Sequence, residues 1–319
     1  FIIVCAIIEK IQKEVPIMST NENKGKKAEV TALQAISAED RKDWISLAFV
    51  QAGICVCVPA FLLGALLAEA MPIWPAIISG SLGYLIVVVG MVATGMIGCD
   101  LGLASCTCCQ AGFGKSGARF IVSTIFAVNM IGWFGIQNGV CGEAFSNAML
   151  AMTGWDIPVV VSNTIWGIIM LLTAVYGVHA LEKLDKISIP LLMIIMCYGI
   201  FLAFKVYGTG NLNDEGTVQS MSFMSGVALS FNFTAVGTIT GPDYTRFQKS
   251  RKDTVKSVFY GVFPMGVITL IMGIVLTKLS GQYDISMVLI EVGLPLLGII
   301  ALVISTWTTN STNAYSAGL

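Results

Sequence analysis

The stretch "WISLAFVQAGICVCVPAFLLGALLAEA", residues 44–70, is apolar enough to cross a membrane and carries a proline near its middle. Pro59 has no backbone N–H to donate to the carbonyl of Cys55, and Gly53 and Gly64 weaken the helix on either side. In transporters built from inverted repeats, such a break at mid-membrane exposes backbone groups to substrate and ions. The stretch therefore predicts a broken first span; the alternative is a pair of kinked helices with packing glycines.

A second polar interruption occurs in "SGVALSFNFTAVGTITGPDYTRF", residues 225–247, which we interpret as the sixth span. Where an ordinary span would carry leucine, it has Asn232, Thr234, Gly237, Thr238 and Thr240. Spans one and six are the expected partners of a five-plus-five inverted repeat. The fold class predicted from these two stretches is an all-α polytopic membrane protein with an inverted-repeat fold.

The composition supports the membrane assignment along the whole chain. Of 319 residues, 55% are hydrophobic and only 12% are charged, which a water-soluble domain of this size would not show. We predict one transmembrane domain, 44–319, after a cytoplasmic segment, 1–43. Its eight predicted spans lie near residues 44–68, 73–98, 119–150, 158–180, 187–207, 219–241, 255–277 and 290–319.

Both termini have unusual sequences. The chain opens on "FIIVCAIIEK" without methionine, whereas Met18 begins a polar stretch typical of a cytoplasmic start. We therefore expect residues 1–17 not to be native. The last residues, "NAYSAGL", stop within a helical pattern without a cap or a charge, so we expect the sequence to be a fragment.

The distribution of lysine and arginine predicts the orientation in the membrane. These residues concentrate in the even-numbered connections, whereas the odd-numbered ones, with "MPIWP", "TGWDIP" and "NLNDEG", have few. The positive-inside rule then places the N-terminus in the cytoplasm of a multi-pass protein of the plasma or inner membrane. The residues on which this rests are Lys115, Arg119, Lys183, Lys186, Arg246, Lys249, Arg251, Lys252 and Lys256.

Enzymatic and metal-binding functions have little support in the sequence. The cysteine-rich "SCTCC" at 105–109 has no second pair of ligands at zinc spacing, and the only histidine, His179, lies in a different connection. We therefore predict no metal site beyond a monovalent cation and no cofactor. With one histidine, no nucleophile elbow and no phosphate-binding loop, the protein is not expected to be an enzyme. Within the spans we interpret Cys55, Cys57, Cys141 and Cys197 as small apolar residues.

The third span carries a polar and aromatic stripe. Asn129, Trp133 and Gln137 are spaced i, i+4 and i+8, so they share one helix face. The indole offers a surface for stacking, and the amides offer donors and acceptors for the edge of a flat heterocycle. We expect Gly132, Gly135 and Gly139 to remove side-chain bulk beside them. Hydrogen bonding between helices, with the tryptophan as packing, is the alternative.

The eighth span contains a cluster of hydroxyls in "ISTWTTNSTNAYSAGL", residues 304–319. Ser305, Thr308 and Thr309 are spaced i, i+3 and i+4, and Asn313 lies one turn further. Neutral oxygens suit a weakly held monovalent cation, especially where carbonyls of the broken first span complete its shell. The alternative is hydrogen bonding of each hydroxyl to a carbonyl one turn earlier.

At "GWFGIQ", "GPDYTRF" and "WTTNSTNAYSAGL" the sequence resembles the cytosine permeases of the nucleobase:cation symporter family. The three motifs occur in the family's order and spacing, and the similarity extends from about Ala38 to the end of the chain. The resemblance implies a twelve-span protein with the amino-acid transporter-like fold. Eight of the twelve spans would then be present here.

The resemblance also implies roles for individual residues. Substrate would lie between aromatic rings matching Trp133 and Phe233, with Gln137 matching a substrate-bonding glutamine of hydantoin and purine-type members. Met130 and Ser305 depart from the glutamine and asparagine of bacterial cytosine permeases, which leaves the substrate open. The further substrate candidates are Asn129, Asn232, Ser305 and Asn313, and the cation candidates are the carbonyls of Gly53 and Cys57 with the hydroxyls of Thr308 and Thr309.

The expected function is import of cytosine or a related planar nucleobase, coupled to sodium. Allantoin, hydantoin, a purine, uracil and hydroxymethylpyrimidine remain alternative substrates. Proton coupling would need a titratable group near the site, and Glu143 and Glu291 lie too far along their spans from Trp133 and Thr308. A channel or a membrane scaffold is the alternative of another class, but the spans lack a pore-lining polar repeat. The predicted partners are substrate, sodium and lipid, without nucleic acid.

Overall fold

The computed structural model describes residues 33–209, 212, 221–282 and 285–319, and in these residues the secondary structure is helical apart from one isolated bridge. The predictions for residues 1–17 and for the "NLNDEG" connection lie outside the described residues. The helices are α1 (Trp44–Cys55), α2 (Val58–Ala70), α3 (Ile73–Leu101), α4 (Ser105–Cys108), α5 (Gln110–Gly117), α6 (Ser123–Thr153), α7 (Val159–Val175), α8 (Val178–Tyr207), α9 (Phe223–Thr234), α10 (Val236–Thr245), α11 (Arg251–Ser280), α12 (Ile285–Glu291) and α13 (Pro295–Gly318); a π-helical turn, Ala118–Val122, joins α5 to α6.

The first span is broken, as its sequence predicts. Helices α1 and α2 meet at an angle of 55°. The backbone between them leaves the helical region at Val56 (φ −89°, ψ 76°) and is extended at Cys57 (φ −144°, ψ 159°). Pro59 lies in the first turn of α2, where a missing N–H costs nothing, so the break falls just before the proline.

The sixth span, where the sequence predicts a second interruption, has a weaker break than the first. Helix α9 ends at Thr234 and α10 begins at Val236, but Ala235 between them keeps helical dihedral angles (φ −55°, ψ −31°). The two helices together form one apolar segment, Phe223–Thr245. Glycine and threonine lower helix propensity but keep their backbone N–H groups, and no proline removes a donor at this point.

Helices occupy all eight predicted positions, although they differ in how well they fit a bilayer. Among the described residues, five helices are long and apolar enough to cross a membrane, and the bent pair α1–α2 makes a sixth. Helix α7, at the fourth position, has only 17 residues. Helix α13, at the eighth, is rich in serine, threonine and asparagine, and most of these side chains are buried against other helices, where polar groups find partners.

Helix α11 packs against α1, α2 and α3. Its approach to α2 brings the two backbones together at two glycines. A Cβ built on Gly64 would lie 2.5 Å from the carbonyl oxygen of Leu270, and one on Gly273 would lie 2.5 Å from that of Phe61. Small residues on both helices therefore allow the close approach of the broken span to α11.

Replacing Gly64 with alanine is expected to lower the stability of the protein by about 1–3 kcal/mol, because the added methyl group meets a backbone carbonyl that cannot rotate away. Thermal unfolding of the purified protein measures the loss. Gly132→Ala is the matched control, since nothing lies within 4 Å of a Cβ at that position. Equal unfolding temperatures for the two variants would contradict the close approach of α2 and α11.

Several long-range contacts join one end of the bundle. Arg41 precedes α1 and donates to the carbonyl oxygens of Cys99 and Gln248, at 2.9 and 2.8 Å. Arg251, at the start of α11, pairs with Asp100 at the end of α3, with 2.6 Å between Nη2 and a carboxylate oxygen. The start of the first span, the end of the second and the start of the seventh thus lie together, as alternating spans require.

Candidate functional site

A cavity of about 110 Å³ lies beside the break between α1 and α2. This volume exceeds the space for one water molecule by several times, so the cavity is large enough for a small ring. Its walls are mostly apolar and come from α1, α2, α3, α6, α9, α10, α11 and α13. Six residues predicted from the sequence line it: Trp133, Gln137, Phe233, Asn313, Cys57 and Thr309.

Trp133 and Phe233 are the aromatic residues of this cavity that the sequence singled out. Their ring centroids are 5.9 Å apart, with an angle of 65° between the planes, so the rings contact each other edge to face. Rings in contact leave no room for a third ring between them. A substrate held between these two side chains would have to move one of them aside, and the sandwich stays a prediction.

Gln137 and Gln51 bring unsatisfied amide groups to the cavity. Gln137 is 4% exposed, and its Oε1 atom has no hydrogen-bond partner among the described residues. Gln51 on α1 is fully buried; its Oε1 atom is likewise unpartnered, and its Nε2 atom lies 3.5 Å from the hydroxyl of Ser257. A buried amide oxygen without a partner is costly, so both side chains are suited to accept hydrogen bonds from a ligand.

Gln51 was missed by the sequence analysis. The available signal was a lone glutamine inside an apolar span, two residues before Gly53. Nothing in the chain pattern places that side chain toward the third span, because residues of different helices come together only through packing. The cavity therefore has one more polar wall than the sequence predicts.

Two of the predicted substrate residues lie away from the cavity. The side chains of Asn129 and Asn232 are exposed on the surface of the bundle. An i to i+4 step turns about 40° around a helix, so two steps from Asn129 to Gln137 rotate the stripe by about 80°. Ser305 is buried but does not line the cavity, and its hydroxyl donates to the carbonyl of Leu302 at 3.0 Å.

Asn313 reaches the cavity from α13. Its Nδ2 atom is 3.3 Å from Oδ1 of Asn310, and Asn310 in turn donates to the carbonyl of Phe134 at 3.0 Å. This chain of hydrogen bonds orients the amide and links α13 to α6. The glycines expected to clear space beside Trp133, namely Gly132, Gly135 and Gly139, have no atom within 4 Å of a built Cβ and so face open space.

The predicted cation ligands meet at the end of α1. The Thr309 hydroxyl is 2.9 Å from the carbonyl oxygen of Gly53 and 3.0 Å from that of Ser305, so it donates to one of the two. The Thr308 hydroxyl is 3.5 and 3.0 Å from the same two oxygens. Both threonines are buried. The hydroxyls thus bond within their own helix and also reach across to the broken span.

Cys57 is the fourth predicted cation ligand. Its backbone is extended, and its carbonyl accepts one hydrogen bond, from the N–H of Ala60 at 3.0 Å. A carbonyl oxygen has a second lone pair, which leaves this group able to bind an ion. Of the four predicted ligands, Gly53 lies on α1, Cys57 lies in the break after it, and Thr308 and Thr309 lie on α13.

The cysteines of "SCTCC" lie in and beside the short helix α4, outside the long apolar helices. All three are free thiols, and burial raises the pKa of Cys106 and of Cys109, which favours their protonated form. Within the described part of the chain, no group of three or more His, Cys, Asp or Glu side chains is placed to hold a metal ion.

Comparison with known proteins gives concordant matches. Residues 36–319 match the family model described as permease for cytosine/purines, uracil, thiamine, allantoin. A cytosine permease of Escherichia coli strain K12 is 29% identical over 283 residues, covering 88% of this chain and 65% of the permease. The purine-uracil permease NCS1 of Arabidopsis thaliana is 25% identical over 303 residues, covering 84% of this chain and 49% of its own length.

Solved structures share the fold. Mhp1, a nucleobase-cation-symport-1 family transporter in a closed conformation with bromovinylhydantoin bound, superposes with a TM-score of 0.81 at 18% identity, over 89% of this chain and 66% of Mhp1. A Na+-coupled sialic acid symporter in a substrate-bound outward-open state has a TM-score of 0.56 at 16% identity, over 99% of this chain and 69% of the symporter. The chain thus spans about two-thirds of these proteins and of the bacterial cytosine permease.

Proposed function

Because this chain belongs to the family of permeases for cytosine and purines, uracil, thiamine and allantoin, we propose that it forms the substrate and cation sites of a symporter for cytosine or a related planar nucleobase. The family is one of multi-pass membrane transporters, not of enzymes. The coupled cation in this proposal is sodium, and transport is inward, with the N-terminus of the chain in the cytoplasm.

One observation carries the substrate part of the proposal. Gln137 holds an unpartnered amide oxygen in a largely apolar cavity, one helical turn from the indole of Trp133. A nucleobase offers a flat face for stacking on the indole and ring N–H groups that donate to this oxygen. The names of the similar proteins fit this chemistry, since cytosine, purine, uracil and bromovinylhydantoin are all flat rings with polar edges.

The cation part of the proposal rests on the oxygens of Gly53, Cys57, Thr308 and Thr309. These groups are neutral and lie on α1, in the break after it and on α13, and two of them, Cys57 and Thr309, also line the substrate cavity. An ion bound there would hold α1 and α13 together while substrate is present, which couples the two binding events. Similarity to a Na+-coupled symporter of the same fold supports sodium as the ion.

The substrate is tested by a competition series on the complete gene product in vesicles. Unlabelled cytosine, uracil, purines, allantoin and hydantoin compete with uptake of labelled cytosine. Saturable uptake with cytosine as the strongest competitor supports the proposal. Saturable uptake in which another compound competes better than cytosine would identify that compound as the substrate. Uptake that does not saturate would indicate a channel.

Substituting Gln137 with leucine is expected to change which base competes best. The ratio of the affinities of two competing bases should change by at least about tenfold. A site built to hydrogen-bond a ring edge discriminates strongly among edges, and an apolar side chain of similar size removes that discrimination. The competition series measures the change. Asn129→Leu, on the same helix with an exposed side chain, should leave the ranking as it is. An unchanged ranking in Gln137→Leu would remove this residue from the substrate site.

A further inference from the structure

Asp185 is a buried carboxylate without a hydrogen-bond partner in the described part of the chain. It lies on α8 and is 0% exposed. Neither of its carboxylate oxygens has a hydrogen-bond partner among the described residues. An isolated charge in such a place costs several kcal/mol, so Asp185 is stable in its ionised form only where a compensating cation lies beside it.

The position of Asp185 indicates what that cation is. A Cβ built on Gly53 would lie 2.5 Å from Oδ1 and 3.1 Å from Oδ2 of Asp185, so the carboxylate abuts the backbone of Gly53. The carbonyl of the same glycine is within 2.9 Å of the Thr309 hydroxyl. The carboxylate and the predicted neutral cation ligands therefore meet at one residue, and only glycine leaves room for them.

The neighbouring lysine does not serve as the partner. Lys186 directs its ammonium group to Glu182, at 2.7 Å, and toward the hydroxyl of Ser46, at 3.4 Å. Glu182 precedes Asp185 by three residues in α8, and Ser46 precedes Gly53 by seven residues in α1, so both lie nearer the end of the bundle where Arg41 lies. The compensating charge for Asp185 is thus not supplied by the side chain next to it.

We propose that Asp185 is the anionic member of the cation site, binding the coupled sodium ion together with the carbonyl of Gly53 and the hydroxyls of Thr308 and Thr309. Hard monovalent and divalent cations prefer oxygen ligands, and their affinity rises with the number of charged ligands. The carboxylate neutralises the ion in the membrane interior, and the ion removes the cost of burying the carboxylate. This inference rests on the proposed cation site and adds to it the ligand that carries charge.

The sequence pattern alone assigns Asp185 to a charged connection between two spans. In "LEKLDKIS", residues 181–188, acidic and basic side chains alternate, and the fifth span is predicted to begin only at residue 187. The structure begins α8 at Val178, so Asp185 lies two turns inside the helix and faces α1. The proposal adds this carboxylate to the neutral oxygens predicted from the sequence.

Sodium binding to the purified complete gene product tests the proposal without measuring transport. Sodium chloride replaces choline chloride at constant ionic strength, while binding of labelled sodium and the unfolding temperature are followed. A ligand that binds only the folded state raises the unfolding temperature in proportion to its affinity. For Asp185→Asn we expect sodium affinity to fall by about tenfold or more. Asp156→Asn, an exposed carboxylate outside the helices, should bind sodium as the wild type does.

Stability without sodium separates ion binding from a structural role. Because asparagine removes a buried charge, Asp185→Asn in choline should unfold at the same temperature as the wild type or at a higher one. Loss of stability in choline, with sodium affinity unchanged, would overturn the proposal. If the asparagine variant cannot be purified, Asp185→Ser replaces it, because the serine side chain is too small to clash with Gly53. Sodium affinity and the unfolding temperature in choline are measured in the same way. Failure of both variants to fold in choline would also overturn it.

The same experiment distinguishes failure of the whole sodium site from failure of the Asp185 assignment alone. A wild type that binds no sodium overturns the sodium site as a whole, and Asp185 with it. A wild type that binds sodium with an affinity unchanged in Asp185→Asn, but lost in Thr309→Ala, overturns only the assignment of the carboxylate.

Discussion

Replacing Trp133 with alanine is expected to weaken substrate binding by up to about a hundredfold. The indole lines the cavity and contacts the ring of Phe233 edge to face, so its removal takes away a stacking surface and the support of its neighbour. Stacking of one base on an aromatic side chain contributes about 1–3 kcal/mol. The Trp133–Phe233 contact exists without substrate, so its loss does not add to this term. Loss of the stacking alone corresponds to roughly a fivefold to hundredfold fall in affinity.

Equilibrium binding of labelled cytosine to the purified protein measures this loss. Trp155→Ala is the matched control, because that indole is 69% exposed in the connection after α6 and touches no part of the cavity. Trp133→Phe keeps a ring at the same place and should recover part of the affinity. Normal binding by the alanine variant would show that the tryptophan only packs between helices.

The double substitution Thr308→Ala/Thr309→Ala is expected to abolish sodium-dependent uptake. It removes both hydroxyls that reach the carbonyl of Gly53 and leaves that carbonyl without a described side-chain partner. An ion in the membrane interior needs protein oxygens in place of its hydration shell, and two of the four neutral ligands would be missing. Initial uptake rates at fixed pH, as sodium is replaced by choline, measure the effect.

Thr306→Ala is the control for this pair, because the Thr306 hydroxyl donates to the carbonyl of Leu302 within α13 and does not reach the broken span. Its sodium dependence should match that of the wild type. Wild-type uptake that ignores sodium but collapses with a protonophore would instead indicate proton coupling. The search for the proton acceptor would then begin with Glu143 and with the carboxylate of Asp185.

Several features of the molecule follow from local sequence alone. A proline in mid-span removes a hydrogen-bond donor wherever the helix packs, so the break between α1 and α2 is visible in residues 44–70. The i to i+4 spacing of Trp133 and Gln137 places both on one face of α6 in any helical structure. The hydroxyls of Thr308 and Thr309 are adjacent for the same reason. Together with the three family motifs, these patterns predict the fold class and the family, which the comparisons confirm.

Which face of each helix meets another helix was decided only by the tertiary structure. Every face of an apolar span carries similar residues, so the pattern does not distinguish Asn129 and Asn232, which are exposed, from Gln51, which lines the cavity. The sequence pattern assigns Asp185 to a charged loop. In the structure, α8 includes this residue, and its carboxylate packs against Gly53. Helical periodicity is a local property of the backbone, whereas the neighbours of a buried polar side chain come from distant parts of the chain, and only their packing brings the amide of Gln51 and the carboxylate of Asp185 to the broken span.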